Sequence, residues 1–340
     1  MKRQVEIVGA GIAGLTTALA FAQKGWRVRV HEQNRTLGLF EEAVHLWRNG
    51  LRVLDALGLL AEVIPDVIPA SHCERRNAHG KAFSSADFSP DCHLYLPLQR
   101  SLLTGLYDAL IETGGEVVFD SRAVGADPAG RLEFADGSCV RADLIVGADG
   151  INSVIRDSLG LLKWRRAAHQ FGYRTVIRLG RGKLDTDTEC IHWEYWSGSR
   201  RLLYAPATAE FAHVELTSVA GDDSGNAVPI DRQSWRTQFP KLAWIIDRVP
   251  EDGRGEWFET IRPEYWSSGR VAIIGDAATA QSPILGHGVG CMMMSAFALA
   301  QTIDPTADVA EGLAQWELRD RKSTRLNSSH RSLSRMPSSA

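Results

Sequence analysis

The chain has 340 residues, 44% hydrophobic and 23% charged, so a disordered chain is excluded and there is enough sequence for two hydrophobic cores. A net charge of −3 provides no overall positive field for binding a nucleic-acid backbone. Five scattered cysteines without C-x-x-C spacing argue against a disulfide framework or a metal site, and they predict reduced thiols in a cytoplasmic protein.

The N-terminal stretch MKRQVEIVGAGIAGLTTALAFAQ allows two interpretations. Lys2 and Arg3 before an apolar run that ends in small residues are typical of a secretory signal peptide. The same run holds glycines at positions 9, 11 and 14, the spacing of a strand, tight turn and helix that bind a dinucleotide. No other segment approaches the roughly 18 to 20 continuous apolar residues of a membrane span, so no integral membrane protein is predicted.

The residues that follow favour the dinucleotide site. QVEIV predicts a short buried strand, IAGLTTALAFAQ a helix, and WRVRVHE a second strand that ends in Glu32, 18 positions after Gly14. Gly9 permits the turn, Gly11 lets backbone amides approach a diphosphate, and Gly14 lets the helix pack on the strand. Glu32 is placed to accept hydrogen bonds from a ribose with a free 2′-hydroxyl. This pattern alone leaves FAD and NAD undistinguished.

Two later segments add specificity. DLIVGADGINSVIR predicts a buried strand, a turn containing Asp149 and a helix, and GRVAIIGDAATAQSPILGHGVG predicts another strand, a proline loop and a helix that begins near Gly286. With the N-terminal glycines, they resemble the single-component (class A) flavoprotein aromatic hydroxylases, which include salicylate and hydroxynicotinate hydroxylases. The resemblance covers roughly residues 3–322. It implies an α/β fold in which a Rossmann-like FAD-binding domain, like that of para-hydroxybenzoate hydroxylase, carries a β-sheet substrate domain.

The resemblance also implies FAD as cofactor and NADH or NADPH as a transient co-substrate, with no separate nicotinamide domain. It places Asp276 on a ribityl hydroxyl, Pro283 against the isoalloxazine, and the start of the last helix at the pyrimidine edge. Asp149 is associated with the pyrophosphate and the nicotinamide, and Arg100 with the ribityl-phosphate region, although a surface cation is the alternative for Arg100. The implied cofactor set is Gly9, Gly11, Ile12, Ala13, Gly14, Glu32, Arg100, Asp149, Asp276, Pro283, Gly286, Gly288 and Val289.

The predicted domains are discontinuous. The FAD-binding domain takes residues 1–70, 97–166 and 265–321, and the substrate domain takes residues 71–96 and 167–264. The latter contains four alternating runs, YRTVIRL, CIHWEYWSG, RRLLYAPAT and FAHVELTSV, which predict a β-sheet. The serine- and arginine-rich residues 322–340 are predicted to be a non-native or disordered tail.

The implied reaction is hydroxylation of an aromatic or heteroaromatic small molecule with NAD(P)H and O2, through a flavin C4a-hydroperoxide. A base with a pKa near neutral helps because a deprotonated hydroxyl makes the ring more nucleophilic. His45 aligns with a histidine that faces the ring in hydroxynicotinate-type relatives, and Tyr204 matches a pocket tyrosine. His213 and His192, on neighbouring strands, are weaker candidates, and a purely structural histidine is the alternative in each case.

The sequence departs from the family pattern at the loop before His45. Relatives commonly have GAGI there, whereas this chain has EEAV at residues 41–44. Two carboxylates beside a cofactor that becomes anionic are unfavourable unless they point to solvent or pair with Arg48 or Arg52. Thr279 and Ser295 also replace a histidine and an acid that are usual in the third motif.

Other functions with the same fold stay open, namely a flavin halogenase, an epoxidase or a reductase. The W-x-W-x-I-P signature of the halogenases is absent. A non-catalytic flavin-binding protein is a further alternative because of the EEAV loop and the unusual C-terminal residues. A monomer or homodimer is expected, with a small aromatic substrate, O2 and NAD(P)H as its only partners.

Overall fold

A computed structural model describes residues 2–89, 93–179, 191–251 and 253–328. Five parallel strands and one antiparallel edge strand form the first sheet, in the order β15-β16-β9-β1-β2-β5. These are β1 (Gln4–Val8), β2 (Arg27–His31), β5 (Glu116–Val118), β9 (Leu144–Gly147), β15 (Ser267–Ser268) and β16 (Val271–Ile273). The order of the parallel strands is that of a doubly wound dinucleotide-binding sheet, which places the C-terminal ends of β1 and β9 side by side.

The second sheet has seven strands in the order β14-β10-β13-β12-β11-β3-β4. Its members are β3 (His72–Asn77), β4 (Ala82–Asp87), β10 (Leu162–Arg178), β11 (Ile191–Ser197), β12 (Arg200–Pro206), β13 (Phe211–Val219) and β14 (Arg254–Pro263). All four runs that the sequence marks as strands lie in this sheet. β10 continues across residues 166 and 167, where the sequence places a domain boundary, with an irregularity in its pairing to β14 between Ala167 and Phe171.

A small antiparallel sheet and ten helices complete the described chain. The small sheet contains β6 (Ala123–Asp127), β7 (Arg131–Phe134) and β8 (Cys139–Arg141). The helices are α1 (Ile12–Gln23), α2 (Arg48–Leu57), α3 (Leu60–Val63), α4 (Gln99–Glu112), α5 (Val154–Ser158), α6 (Arg232–Gln238), α7 (Ala243–Ile246), α8 (Asp276–Thr279), α9 (Gly288–Thr302) and α10 (Val309–Ser328). None of the helices in the described ranges is long and apolar enough to cross a bilayer.

The two faces of the second sheet pack against different partners because successive side chains of a strand point in opposite directions. On the outer face, Leu202 and Tyr204 pack with α6 and α7. On the inner face, Leu203 and Ala205 pack with the loops at residues 43–47 and 94–98. Since the 43–47 loop leads from the first sheet into α2, the inner face lies next to the C-terminal ends of the parallel strands.

Several sequence features fall partly outside the described residues. Cys73 and Cys139 are free thiols, whereas Cys92 and Cys190 lie outside the described ranges. α10 continues through the start of the predicted tail to Ser328, and residues 329–340 are not described.

Candidate active site

The glycines after β1 form a close-packed turn with one open position. A Cβ atom on Gly9, where φ is +101°, would lie 2.5 Å from the Ala148 carbonyl oxygen, and one on Gly14 would lie 1.9 Å from the Gly9 carbonyl oxygen. Gly11 is different, because a Cβ there meets nothing within 4 Å. Two glycines therefore serve packing, and the third leaves open space at the N-terminus of α1, where backbone N–H groups attract a phosphate.

Glu32, at the end of β2, is held by backbone and side-chain donors. Its Oε2 accepts a hydrogen bond of 3.0 Å from the Ala10 amide, and its Oε1 accepts bonds from the Asn34 amide and side chain at 3.0 and 2.7 Å. These bonds fix the carboxylate beside the glycine turn. This is where the sequence predicts a ribose contact.

The turn after β9 carries Asp149 and is braced by a buried arginine. Asp149 Oδ2 accepts from the Ile155 amide at 3.2 Å, whereas its buried Oδ1 has no partner among the described residues. Burial raises the pKa of Asp149. Arg156 is fully buried, and it donates from Nη1 to the Ile151 carbonyl at 2.9 Å and to the Ala277 carbonyl at 3.4 Å. Arg156 thus ties the second predicted motif to the third.

The third motif packs against the first at a glycine. Gly275 has φ +60°, and a Cβ there would lie 2.7 Å from the Ala13 Cβ. Asp276 begins α8, and the protein packed around its carboxyl raises its pKa although the side chain keeps contact with solvent. Pro283 begins a 3-10 turn that ends before Gly286, and α9 starts at Gly288, where a Cβ would again meet nothing within 4 Å.

The EEAV carboxylates are paired, but not with the arginines that the sequence suggested. Glu41 is exposed and accepts from Arg100 Nη1 at 2.9 Å, so Arg100 is occupied by this surface pair. Glu42 is buried and lies 3.6 Å from both Arg174 and Arg254. Of the two alternatives that the sequence left open, exposure to solvent holds for Glu41. Neither carboxylate pairs with Arg48 or Arg52, because α2 begins at Arg48 and carries both of those side chains to solvent.

Three histidines meet on the inner face of the second sheet. Nε2 of His45 lies 3.1 Å from Nε2 of His192, and the His45 and His213 rings pack edge to face with centroids 5.5 Å apart. His192 Nδ1 lies 3.7 Å from the sulfur of Cys73, its neighbour in the parallel β3–β11 pair. Gly286 contacts the other side of His45, where an added Cβ would come within 3.1 Å of the ring. His45 therefore lies between the second sheet and the turn before α9, and its side chain is half-buried.

Burial makes these histidines neutral at physiological pH. It lowers the pKa of His45 to about 4, although Glu215 acts in the opposite direction, and it lowers the pKa of His192 to about 3. Burial also lowers the pKa of His213 well below its usual value, and His213 Nδ1 has no hydrogen-bond partner among the described residues. A neutral imidazole carries one free lone pair and is able to accept a proton, but a pKa of about 4 for His45 is below the near-neutral value that the sequence analysis expects of the base.

Ion pairs surround the histidines on the inner face. Arg201 lies 3.4 Å from Glu194 and 3.2 Å from Glu215, all three nearly inaccessible to solvent. Burial alone would raise the pKa of Glu194, but Arg201 and Arg75 outweigh it and hold that pKa at about 2. Glu194 therefore stays ionised, and both carboxylates lie against the Arg201 guanidinium.

Tyr204 lies away from the histidines. β12 pairs with β13 so that Ala205, not Tyr204, is opposite His213. Tyr204 faces outward, with its ring 5.7 Å from that of Trp193 and 5.5 Å from that of Trp244, and burial raises its pKa to about 12. The structure does not bring Tyr204 to His45, because the two side chains lie on opposite sides of the second sheet.

Trp47 is a site residue that the sequence analysis did not single out. Its Nε1 donates to the Gly286 carbonyl at 3.1 Å, and its ring stacks on His287 at 5.2 Å and contacts Phe88 edge to face at 5.1 Å. The position of a tryptophan two residues after His45 was the available signal, since neighbouring inward side chains of an extended segment are two residues apart.

Cys73, His192 and Glu194 have potential ligand atoms within 4.8 Å of one another. Glu194 is already engaged, because Oε2 accepts from Arg75 and Trp196 at 3.2 and 3.3 Å and Oε1 lies 3.4 Å from Arg201. Two guanidinium groups on this carboxylate oppose a cation. Hydrogen bonds and ion pairs, not a metal ion, therefore account for the arrangement of these three side chains.

Comparison with known proteins agrees with this geometry. Residues 2–327 match the family model FAD_binding_3, described as an FAD binding domain. The chain belongs to this FAD-binding family. Within it, 2-heptyl-3-hydroxy-4(1H)-quinolone synthase of Mycobacteroides abscessus is 38% identical over 320 residues, covering 92% of this chain and 84% of that protein. A putative enzyme of the same name from Rhodococcus erythropolis is 36% identical over 318 residues, covering 93% and 83%.

The solved tetrameric form of 2-methyl-3-hydroxypyridine-5-carboxylic acid oxygenase has the same fold, with a TM-score of 0.87 and 34% identity over 95% of this chain and 88% of that chain. The expected family, α/β fold, FAD cofactor and enzyme class are thereby confirmed. This FAD-binding chain is a flavoprotein monooxygenase, and its relatives act on aromatic compounds. The open space at Gly11 and the unpartnered Asp149 Oδ1 fit an FAD whose phosphates and hydroxyls need such groups.

Proposed function

We propose that the protein hydroxylates a nitrogen-containing heteroaromatic small molecule that carries no carboxylate, using FAD, NAD(P)H and O2. The observation that carries the proposal is a neutral, half-buried His45 between the second sheet and the glycine turn before α9. Reduced FAD supplies the activation of O2 that such a reaction needs. The remaining roles belong to residues of this chain.

The residues that would hold FAD come from the three motifs. The backbone at Gly11 to Gly14 and the side chain of Glu32 suit the diphosphate and the ribose. Asp149 and Asp276 offer carboxylates for pyrophosphate-side and ribityl contacts, and the N-terminus of α9 at Gly288 and Val289 offers N–H groups and a positive helix end for an anionic ring edge. Pro283, at the start of the 3-10 turn before Gly286, would lie against the isoalloxazine. Arg100 would act on FAD only indirectly, because its guanidinium is engaged in the ion pair with Glu41.

His45 is the proposed base. Its Nε2 is taken by His192, and no described residue hydrogen-bonds its Nδ1, so Nδ1 is the nitrogen available to a substrate hydroxyl. Removing that proton increases the electron density of the ring at the moment of oxygen transfer. His213 lies against His45 and supports its position, whereas Tyr204 has no proposed role in the chemistry because it faces outward.

The charge balance of the inner face favours a substrate without a carboxylate. Four arginines and four glutamates of the inner face and the adjoining loop form ion pairs with one another: Arg75, Arg201, Arg174, Arg254, Glu194, Glu215, Glu42 and Glu256. An anionic substrate would need an unpaired cation to replace its hydration. Relatives named as quinolone synthases, whose named product has no carboxylate, support the same choice.

The test is oxidation of NADH or NADPH by the FAD-loaded protein with a panel of hydroxypyridines and quinolones, each with and without a carboxylate. We expect oxidation to accelerate with an uncharged heterocycle, O2 to be consumed, and the product to gain one oxygen atom. The His45→Ala variant should lose about 10²–10⁴-fold in kcat/KM while retaining FAD. Product without O2 consumption would indicate a reductase, and preference for carboxylated compounds would contradict the substrate class.

The domain division follows from the same proposal. Residues 1–70, 97–166 and 265–321 would hold FAD, and residues 71–96 and 167–264 would cover the substrate. A cytoplasmic location and a monomeric or homodimeric state stay predictions, which fractionation of cells and light scattering of the purified protein would check.

A further inference from the structure

We propose that His192, backed by Cys73, is a positioning residue that sets which nitrogen of His45 carries the proton. This inference rests on the proposed function, in which Nδ1 of His45 accepts the substrate proton. It concerns two residues that the cofactor motifs do not include, and their arrangement follows from the register of β3 and β11.

The 3.1 Å separation of two Nε2 atoms restricts the protonation of both rings. A hydrogen bond at this distance needs one donor and one acceptor, and a neutral imidazole has one nitrogen of each kind. If His45 donates from Nε2, its Nδ1 has no proton and is a base. If His192 donates instead, His45 carries its proton on Nδ1 and presents a donor to the substrate. Only the first arrangement permits the proposed reaction.

Cys73 extends this restriction to a third side chain. In the first arrangement His192 accepts at Nε2, so its proton is on Nδ1 and points to the Cys73 sulfur 3.7 Å away, where sulfur acts as a weak acceptor. In the second arrangement the thiol donates to a bare Nδ1. Cys73 and His192 are both buried, so no bulk water replaces either partner. Because the thiol is able to accept or to donate, it is a partner of His192 in both arrangements, and the relative stability of these two hydrogen bonds contributes to the choice of the His45 tautomer.

The proton that leaves the substrate is taken up by His45 itself. The substrate O–H bond breaks, an N–H bond forms at His45 Nδ1, and the substrate keeps the electron pair on oxygen. The resulting imidazolium retains its Nε2 proton in the bond to His192 Nε2. The carboxylates of Glu215 and Glu194 stabilise this positive charge, whereas the guanidinium groups of Arg201 and Arg174 destabilise it. The neutral His213 packs against the same ring.

Substitutions at His192 separate this role from simple packing. His192→Phe preserves an aromatic ring and removes the acceptor, so we expect kcat to fall on the order of 10- to 100-fold, with FAD affinity unchanged. His192→Gln restores an acceptor oxygen and should recover most of kcat.

Substitutions at Cys73 test the third side chain. Cys73→Ala leaves the Nδ1–H of His192 unpaired, which disfavours the active arrangement, whereas Cys73→Ser supplies a hydroxyl acceptor. Cys139→Ala, an exposed thiol on β8, is the matched control.

The decisive measurement is nitrogen-15 NMR of labelled histidine in the FAD-bound protein, which reports the tautomer directly. We expect His45 to carry its proton on Nε2 in the unmodified protein and in Cys73→Ser, and to shift toward Nδ1 in Cys73→Ala. An unchanged His45 tautomer across all His192 and Cys73 variants would overturn the inference. If instead the tautomer shifts as expected but His45→Ala keeps full activity, the inference stands and the role of His45 in the proposed function fails.

Discussion

Gly286 lies directly against His45, so that a methyl group on the glycine would stand 3.1 Å from both Cγ and Cδ2 of the ring. Gly286 has φ +64° and closes the turn before α9, while His45 belongs to the loop before α2. Trp47 holds the two segments together by donating to the Gly286 carbonyl. The proposed base and the turn proposed to face the flavin are therefore in direct contact, and a shift of one would move the other.

Gly286→Ala should reduce activity more than stability. The new methyl group moves the His45 ring by a few tenths of an ångström, and the left-handed backbone costs about 1 kcal/mol. We expect kcat/KM to fall by at least about 10-fold, since a base must lie within hydrogen-bond reach of its proton. Gly160→Ala is the control, because its φ of +63° matches and an added Cβ meets nothing within 4 Å. Equal kcat/KM in the two variants would refute the coupling.

Gly11→Ala and Gly14→Ala should fail in different ways. The Gly11 backbone has φ −79°, which alanine accepts, and its Cβ would enter open space, so the apoprotein should keep its Tm while FAD affinity falls about 10-fold or more. The Gly14 Cβ would collide with the Gly9 carbonyl oxygen, so the apoprotein itself should lose stability. Fluorescence titration with FAD and thermal unfolding without FAD separate the two effects. Normal FAD binding by Gly11→Ala would remove this glycine from the cofactor site.

The nucleotide-binding half could be predicted from sequence because its contacts are local. The Gly14 contact with Gly9 joins residues of one turn, and Glu32 directly follows the next strand. The histidine cluster could not be assembled in this way, since His45 and His192 are 147 positions apart. Tyr204 shows why: a one-residue change of register between β12 and β13 would exchange the two faces, and the sequence of the hairpin does not reveal its register. The partners of Glu42 come from distant strands, whereas the sequence offered only solvent or the nearby Arg48 and Arg52 as alternatives.

The adjacent carboxylates of the EEAV loop should differ in their contribution to stability. Glu42→Gln removes a buried charge beside Arg174 and Arg254 and should lower the free energy of unfolding by about 1–3 kcal/mol. Glu41→Gln breaks an exposed pair with Arg100 and should change it by less than about 1 kcal/mol. Urea unfolding of the FAD-bound variants compares them directly. A larger loss in Glu41→Gln would contradict the observed burial.

Tyr204→Phe should leave catalysis nearly unchanged. The ring of Tyr204 packs between Trp193 and Trp244 on the outer face, and phenylalanine preserves that packing. We expect kcat/KM within about 2-fold of the unmodified protein, since a group outside hydrogen-bond reach of the substrate contributes little to proton transfer. His45→Ala provides the positive control in the same assay. A loss with Tyr204→Phe comparable to that of His45→Ala would show that the hydroxyl reaches the substrate.

The histidine cluster should make the fold acid-sensitive. The pKa of His45 is about 4 in the folded chain against about 6.5 when exposed, so between these values the unfolded state binds more protons and stability falls as the pH falls. The contribution of His45 is fully present above about pH 6.5, and its loss by pH 4 amounts to about 3 kcal/mol. His192, with a pKa of about 3, adds to the same slope of stability against pH.

Urea unfolding of FAD-bound protein from pH 7 to pH 4.5 tests this slope. The free energy of unfolding should depend less steeply on pH in His192→Gln than in the unmodified chain. His79→Gln, at an exposed position of the β3–β4 hairpin, controls for the loss of one histidine. Identical slopes for the unmodified protein and His192→Gln would mean that His192 is not held neutral by burial.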